Sequence, residues 1–266
     1  MTGDSTTAEL LCDVEGHVAW LTFNRPESLN SFSPAMLRAA RQAIDDAEHD
    51  PQIRVVVLTG AGRAFCAGGN VKAMSGNADA DKSDQRNSHA LAMRLTLALN
   101  NFSKPVIAAV NGVAAGAGFE LALQADLRIA ADTAYLKPAA LRLGLVPGDG
   151  SVFFLSRLVG TAKANEILLL EQEIRAQEAL SLGLFNRVVP ASQLRSETAE
   201  LADALAAKAP LAVAATKRAI KMSVSGNLEA VMDYLQLAVR ANRATYDHAE
   251  GIAAFRERRV PNFEGR

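Results

Sequence analysis

The chain has 266 residues and a formal net charge of −1, so its composition indicates neither a basic nucleic-acid surface nor a charged membrane-binding face. A hydrophobic content of 49% with only 5% aromatic residues is typical of an α/β protein with a sizeable core. Two cysteines and four scattered histidines favour a reduced protein without a metal site. Without a signal peptide or a long apolar run, the sequence predicts a soluble, cytoplasmic protein.

The first part of the chain alternates between strand-like runs and helical patterns. Residues 17–24 (HVAWLTFN) predict a strand, and Ser33-Pro34 predicts the N-cap and first residue of a helix that ends at Asp50. Three short apolar runs are typical of strands buried on both faces of a parallel sheet: 53–60, 106–112 and 127–131. Because helical patterns separate these runs, we expect a parallel α/β fold.

Two later segments differ from this alternation. Residues 75–88 (SGNADADKSDQRNS) are polar and without periodicity, which predicts either a functional lid or a surface insertion. From about Ala191 the pattern is nearly all helical, and residues 247–250 resemble a capping box for a last helix. This tail is apolar on one face, so we expect it to pack on the core or on a neighbouring subunit.

Glycine-rich loops occur at 59–70 (TGAGRAFCAGGN) and 111–126 (NGVAAGAGFELALQAD). Both are poor matches to the dinucleotide-binding GxGxxG pattern, because Phe65 and Leu121 occupy the third glycine position. Neither continues as a phosphate-binding GK[ST] loop, and no GxSxG nucleophile elbow is present. Small residues between a strand and a helix either allow close packing or direct backbone N–H groups into a cleft as an oxyanion hole.

Three segments resemble signature motifs of the enoyl-CoA hydratase/isomerase (crotonase) superfamily. They are residues 63–74 (RAFCAGGNVKAM), 104–131 (KPVIAAVNGVAAGAGFELALQADLRIAA) and 143–160 (LGLVPGDGSVFFLSRLVG). The opening segment 18–33 and the closing segment 254–266 also fit. The resemblance therefore covers essentially the whole chain.

The resemblance implies an α/β fold built as a spiral of β–β–α turns. Residues 1–190 are expected to form this core with the active site, and residues 191–266 a C-terminal helical trimerisation region. It also implies an acyl-CoA substrate, no cofactor apart from the coenzyme A of the substrate, no metal, and a homotrimer or dimer of trimers.

The resemblance further implies the positions that bind the thioester. The backbone N–H groups of Ala67 and Ala117 are expected to form the oxyanion hole, with the coenzyme A near the Arg25–Asn30 turn. The positions expected to contact coenzyme A or the acyl group are Arg25, Glu27, Leu29, Ala64, Phe65, Ala67, Gly68, Gly69, Asn70, Val71, Val113, Gly116, Ala117, Ala140, Phe255 and Arg258.

Hydratases of this superfamily use two carboxylates, because one group takes the proton of a water while an acid protonates the α carbon. The first corresponds to Glu120, whose alternative role is that of an exposed glutamate at a helix start. The second position is Ala140, which cannot transfer a proton. Asp149 is the candidate replacement, unless it only caps the turn or the helix beginning near Ser151. Asp126 is expected to be structural.

Three functions remain open from the sequence. The first is an enoyl-CoA hydratase, a lyase in which Glu120 is the main acid/base and shares the work with Asp149. The second is an enoyl-CoA isomerase, because moving a double bond needs only one base. The third is a weakly catalytic or inactive homologue that binds acyl-CoA or a protein partner.

Overall fold

The computed structural model describes residues 8–69 and 80–266, and only the backbone of residues 80–87. Within these residues the main sheet has six strands. Across the sheet they are β1 (Leu10–Glu15), β2 (Val18–Phe23), β3 (Val55–Gly60), β5 (Val106–Val110), β7 (Leu127–Ala131) and β10 (Arg187–Val189). The β1–β2 pair is antiparallel and every later pair is parallel. The predicted strands are confirmed, whereas β1 was missed because its residues after Leu11 are exposed and polar in part.

A smaller sheet contains β4 (Ala64–Cys66), β6 (Val113–Ala115), β8 (Tyr135–Lys137) and β9 (Ile174–Arg175). Strands β4, β6 and β8 are parallel, and β9 runs antiparallel to β8. The chain passes from the main sheet to the small sheet three times, as β3–β4, β5–β6 and β7–β8, and a helix follows each passage. This arrangement confirms the expected spiral of β–β–α turns.

The described helices surround the two sheets. They are α1 (Pro34–His49), α2 (Ala80–Asn101), α3 (Ala117–Gln124), α4 (Ser151–Leu169), α5 (Ala176–Ser181), α6 (Leu194–Ala206), α7 (Pro210–Ser225), α8 (Leu228–Arg243) and α9 (Tyr246–Glu257). Short 3-10 turns lie at Pro26–Ser28, Leu141–Leu143 and Ala191–Gln193. In the part of the chain that is described, no helix is both long and apolar enough to cross a membrane.

The predicted start of α1 is confirmed, because the Ser33 side chain accepts a hydrogen bond from the Met36 N–H at 3.0 Å. The last helix differs from its prediction. Thr245 is the N-cap of α9, with its hydroxyl oxygen 3.1 Å from the nitrogen of His248. Asp247 lies inside the helix, and its carboxylate instead accepts the N–H groups of Glu264 and Gly265. The predicted capping box is therefore wrong, because Asp247 binds the C-terminal tail.

The predicted loop at 75–88 is wrong for residues 80–88, which form the first turns of α2; residues 75–79 lie outside the described part. Helix α2 packs against α1 and buries Ala92, Leu95 and Leu99. These three buried residues lie at helical spacing in the second half of the helix. The sequence of residues 80–88 is mostly polar and without periodicity, so it carried no helical signal.

Of the helices after Ala191, α6 packs on the main sheet, whereas α8 packs on α7 and α9. Helix α6 contacts β3, β5 and β7. The Arg54 guanidinium, next to β3, donates to the carbonyl oxygens of Ala206 and Phe263. Lys217 of α7 pairs with Asp126 at 2.6 Å, and the same carboxylate accepts the N–H of Val106. Asp126 thus has the expected structural role, while the boundary at residue 191 stays a prediction.

Candidate active site

The two glycine-rich loops lie side by side because strands β4 and β6, which lead into them, are paired. Gly68 has φ +82°, and a Cβ added there would lie 2.6 Å from the Ala115 oxygen and 2.7 Å from the Ala117 nitrogen. A Cβ on Gly118 would collide with the carbonyl of Cys66. Close packing is therefore one reason for the small residues. It also places the start of α3 directly against the first loop.

The backbone N–H groups of these loops are not equally available. The Ala67 N–H donates to the Leu29 oxygen at 2.9 Å, and the Gly116 N–H to the Lys137 oxygen at 2.9 Å. In this structure the Ala67 N–H is therefore bound within the protein, and its expected role as an oxyanion donor stays a prediction. Among the described residues no acceptor is found for the N–H groups of Gly69 and Ala117, and both residues are partly exposed.

Glu120 lies one turn into α3 with only 4% of the residue exposed. Its Oε2 accepts the backbone N–H groups of Asp149 at 2.7 Å and Ser151 at 2.9 Å. These donors lie at the start of α4, whose N-cap, Gly150, has no side chain to cap it. Glu120 is thus a buried carboxylate at the N-terminus of a neighbouring helix, and not an exposed glutamate at the start of its own.

The burial of Glu120 raises the pKa of its carboxyl group, because an ion is poorly solvated inside the protein. The Ser151 and Asp149 N–H groups lower this pKa, since they bind the ionised form, and the nearby Asp149 charge raises it. The net direction is upward. A carboxyl group with a raised pKa is a candidate acid/base at neutral pH.

Asp149 is buried, with 8% of the residue exposed, and its backbone is tightly held. Its carbonyl oxygen accepts from Gln124 Nε2 at 2.8 Å and from the Thr96 hydroxyl at 3.2 Å. Its side-chain Oδ1 lies 3.5 Å from Nδ1 of His89. Burial raises the pKa of Asp149, and His89 counteracts this. The alternative prediction, that Asp149 caps α4, is wrong because the Glu120 carboxylate occupies that position.

Ala140 stands at the start of the 3-10 turn Leu141–Leu143 and is partly buried. Glu171 holds this turn, because its carboxylate accepts from the backbone and the guanidinium of Arg142. Beyond the turn, Leu145 and Val146 are exposed. The chain thus has no carboxylate at Ala140 and exposes apolar side chains in the segment that follows.

The turn expected to hold coenzyme A is attached to the first glycine-rich loop by the buried Asn30 side chain, in addition to the hydrogen bond from the Ala67 N–H to the Leu29 oxygen. Asn30, with φ +57°, accepts the Arg25 N–H and donates to the carbonyl oxygens of Ala61 and Ala64. Asn30 thereby brings Arg25 and Ala64 together. Glu27 in the same turn has a side chain that is 71% exposed.

Other expected contact positions are not brought to this turn. Phe65 is fully buried and packs edge-to-face on Phe23, so that its side chain belongs to the core. Phe255, which is 86% exposed, lies with Arg258 on and after α9. Phe255 lines a separate cavity of about 540 Å³ between α7, α8, α9 and the tail. Asn70 and Val71 lie outside the described residues.

Four residues around the carboxyl groups were missed by the sequence interpretation. Folding brings them to Asp149 or Glu120, and their local sequence gives no motif that predicts these contacts. They are His89, Thr96, Gln124 and Ser151. As for metal binding, no group of three or more suitable side chains occurs within residues 8–69 and 88–266.

Comparison with known proteins identifies the family. The model of the family described as Enoyl-CoA hydratase/isomerase matches residues 13–266. The chain is 34% identical to a short-chain-enoyl-CoA hydratase of Clostridium acetobutylicum, over 97% of this chain and 98% of that protein. It is 37% identical to a 1,2-epoxyphenylacetyl-CoA isomerase of Escherichia coli, over 97% and 98%.

Solved structures give the same result. The crystal structure of an enoyl-CoA hydratase from Bacillus anthracis superimposes with a TM-score of 0.92 at 34% identity, covering 97% of this chain and 100% of that one. An enoyl-CoA hydratase structure from Polaromonas gives a TM-score of 0.89 at 35% identity, with 96% and 99% covered. The chain therefore belongs to the enoyl-CoA hydratase/isomerase family.

Proposed function

We propose that the protein hydrates 2-enoyl-CoA thioesters with Glu120 as the main acid/base and Asp149 as the second carboxylate. The observation that carries this proposal is the hydrogen bond from the Asp149 N–H to Glu120 Oε2, which joins the backbone of a second buried acidic residue to Glu120, and the Asp149 charge acts on the Glu120 carboxyl group. Each of the two carboxyl groups has a raised pKa. Two such groups are what addition of water to a double bond requires.

The oxyanion hole is proposed to consist of the N–H groups of Gly69 and Ala117. Both belong to the paired loops, and neither has an acceptor among the described residues. Ala117 is the first residue of α3, so the positive end of the helix supports the developing negative charge on the thioester oxygen. In this proposal Gly69 stands where the sequence predicts Ala67, whose N–H is bound within the protein.

Glu120 is proposed to move one proton. Its free oxygen takes a proton from water while the water oxygen bonds to the β carbon, and the electron pair of the double bond delocalises onto the thioester oxygen. The protonated Glu120 then gives that proton to the α carbon as the thioester carbonyl re-forms. Ionised Asp149 accepts a hydrogen bond from the other O–H of the same water and orients it, and this hydrogen stays on the oxygen as the hydroxyl group of the product.

A second candidate is the shift of a double bond by a single base. The observation that favours it is the orientation of Asp149, whose Oδ1 faces His89, together with the missing carboxylate at Ala140. Glu120 would then take a proton from one carbon and return it to another. The apolar residues beyond Ala140 would line the acyl chain.

The substrate and assembly follow from family membership and surface. Coenzyme A enters as part of the substrate, and we propose that no separate cofactor takes part. We propose a cytoplasmic protein that assembles as a homotrimer or dimer of trimers. The assembly is supported by large exposed apolar residues of α4, α8 and α9, which are typical of subunit interfaces. They are Val152, Phe153, Leu228, Met232, Leu237, Val239, Ile252 and Phe255.

Two assays separate the candidate reactions. With 2-enoyl-CoA, a hydratase removes the conjugated absorbance, and mass spectrometry shows a gain of one water. With 3-enoyl-CoA, an isomerase produces conjugated absorbance without a change of mass. Binding of a non-reactive acyl-CoA without either reaction would contradict both proposals and support a binding protein.

A further inference from the structure

Asp149 carries a buried oxygen for which the described residues provide no hydrogen bond. Oδ1 is fully screened from solvent, whereas buried carboxylate oxygens are normally hydrogen-bonded. His89 Nδ1 lies 3.5 Å away on α2. A small rotation of either side chain converts this ion-pair distance into a hydrogen bond.

The His89 imidazole packs directly against the backbone of Gly148. A Cβ added to Gly148 would lie 2.5 Å from His89 Cε1 and 3.4 Å from both ring nitrogens. Gly148 is not among the glycines with positive φ, so its backbone conformation does not itself require glycine. Glycine is instead required at position 148 because the His89 ring occupies the space that a Cβ would fill.

The two side chains differ in their access to solvent. The side chain of His89 is 56% exposed and that of Asp149 only 11%. The backbone of Asp149 is fixed by Glu120, Thr96 and Gln124, so that the carboxylate orientation is the remaining freedom. No described residue donates a hydrogen bond to Oδ1 of Asp149, so a donor at His89 would hold a carboxylate that is otherwise unheld.

From this geometry we propose that His89 is a positioning residue, which holds the Asp149 carboxylate ionised and oriented beside Glu120. The proposal deepens the two-carboxylate function and rests on it. Among the residues whose side chains the structure describes, the titratable groups that face His89 are Asp149, in the loop before α4, and behind it Glu120 of α3. His89 itself does not touch the reacting atoms.

His89→Ala and His89→Asn test the proposal, because asparagine keeps a donor near the place of Nδ1. For His89→Ala we expect kcat to fall about tenfold with little change in KM, as for loss of a charge-assisted hydrogen bond. The acid limb of the pH profile should move to higher pH, because His89 lowers the pKa of Asp149. His89→Asn should recover part of kcat, and His49→Ala, at the exposed end of α1, should change nothing. An unmoved pH profile in His89→Ala would overturn the proposal.

Gly148→Ala provides an independent variant, because the new methyl group displaces the imidazole. We expect it to reproduce the His89→Ala kinetics, and the double variant to be no slower than His89→Ala alone. Additive losses would show that Gly148 acts without His89, and would contradict the proposed seating of the ring.

The ionisation of Asp149 separates this proposal from the proposed reaction. Carboxyl-¹³C NMR of labelled aspartate, with Asp149→Asn to assign the signal, follows the Asp149 pKa without turnover. A higher pKa in His89→Ala supports the pairing even if no enoyl-CoA reacts, and an unchanged pKa overturns it even if the hydratase assay succeeds.

Discussion

At the residue scale, Glu120 holds the start of a neighbouring helix and is also the proposed acid/base. Its Oε2 accepts two backbone N–H groups at the start of α4, and no hydrogen bond to its Oε1 is found among the described residues. Its type and position were evident from the sequence. Its burial and its contact with the Asp149 loop were not, because the two residues are 29 positions apart and meet only through folding.

Replacing Glu120 by glutamine should lower kcat by about 100-fold or more, since a general acid/base contributes at least that much. The Glu120→Gln protein should be at least as stable as the wild type at neutral pH. Because the pKa of Glu120 is raised in the folded state, folding disfavours its ionised form, and glutamine removes this cost. The amide oxygen of glutamine can still accept an N–H. Steady-state kinetics and thermal unfolding measure both effects. Glu229→Gln, an exposed glutamate of α8, is the matched control, and full activity of Glu120→Gln would refute the assigned role.

The acid limb of activity should lie above the ordinary pKa range of carboxyl groups. Burial raises the pKa of both Glu120 and Asp149, and both must be ionised to bind the water. On acidification, activity is therefore lost at a higher pH than for an exposed carboxylate. A profile of kcat/KM against pH checks this, and Asp149→Asn should change the shape of that limb. A limb at the ordinary value would argue against buried carboxylates as the essential groups.

At the element scale, the close approach of α3 to β4 fixes the position of the proposed oxyanion hole. The sequence offered packing and catalysis as alternatives for the small residues. The structure shows close packing at Gly68 and Gly118, and this packing is what brings the start of α3 to the first loop. The two interpretations are therefore parts of one arrangement.

Gly118→Ala should reduce the free energy of unfolding by about 1–3 kcal/mol, as expected when an extra methyl group is forced into a packed interior. The methyl group would meet the Cys66 carbonyl, so β4 and α3 must separate and activity should fall with stability. Denaturant unfolding measures the change. Gly251→Ala in α9 is the control, because its methyl group would lie 3.5 Å from Phe263, an ordinary contact, and alanine favours the helix. Equal stability of the two variants would contradict the packing argument.

At the scale of the whole molecule, the C-terminal helices expose large apolar side chains, as surfaces that bind another subunit do. Leu228, Met232 and Val239 follow helical spacing and lie on one face of α8. Phe255, expected to reach coenzyme A, lines a cavity separate from the residues around Glu120. Both features are consistent with subunits that complete one another.

Met232→Glu should dissociate the proposed oligomer, because a charge would be buried in the interface without a partner. Light scattering after size-exclusion chromatography should then change from about three or six chains to one. Asp233→Asn, the next residue around the helix, alters the charge by one unit and should leave the assembly intact. A wild-type protein that is monomeric at all concentrations would refute the assembly.

The sequence by itself determined the family, the parallel strands and the identity of Glu120 as the main candidate. Those features depend on local patterns: apolar runs, spaced motifs and one glutamate after a glycine-rich loop. The tertiary structure decided which N–H groups of the glycine-rich loops bind acceptors within the described residues, that the Asp149 backbone binds Glu120, and that His89 faces Asp149. These contacts join residues distant in the chain, and burial and hydrogen-bond partners exist only once the elements have packed.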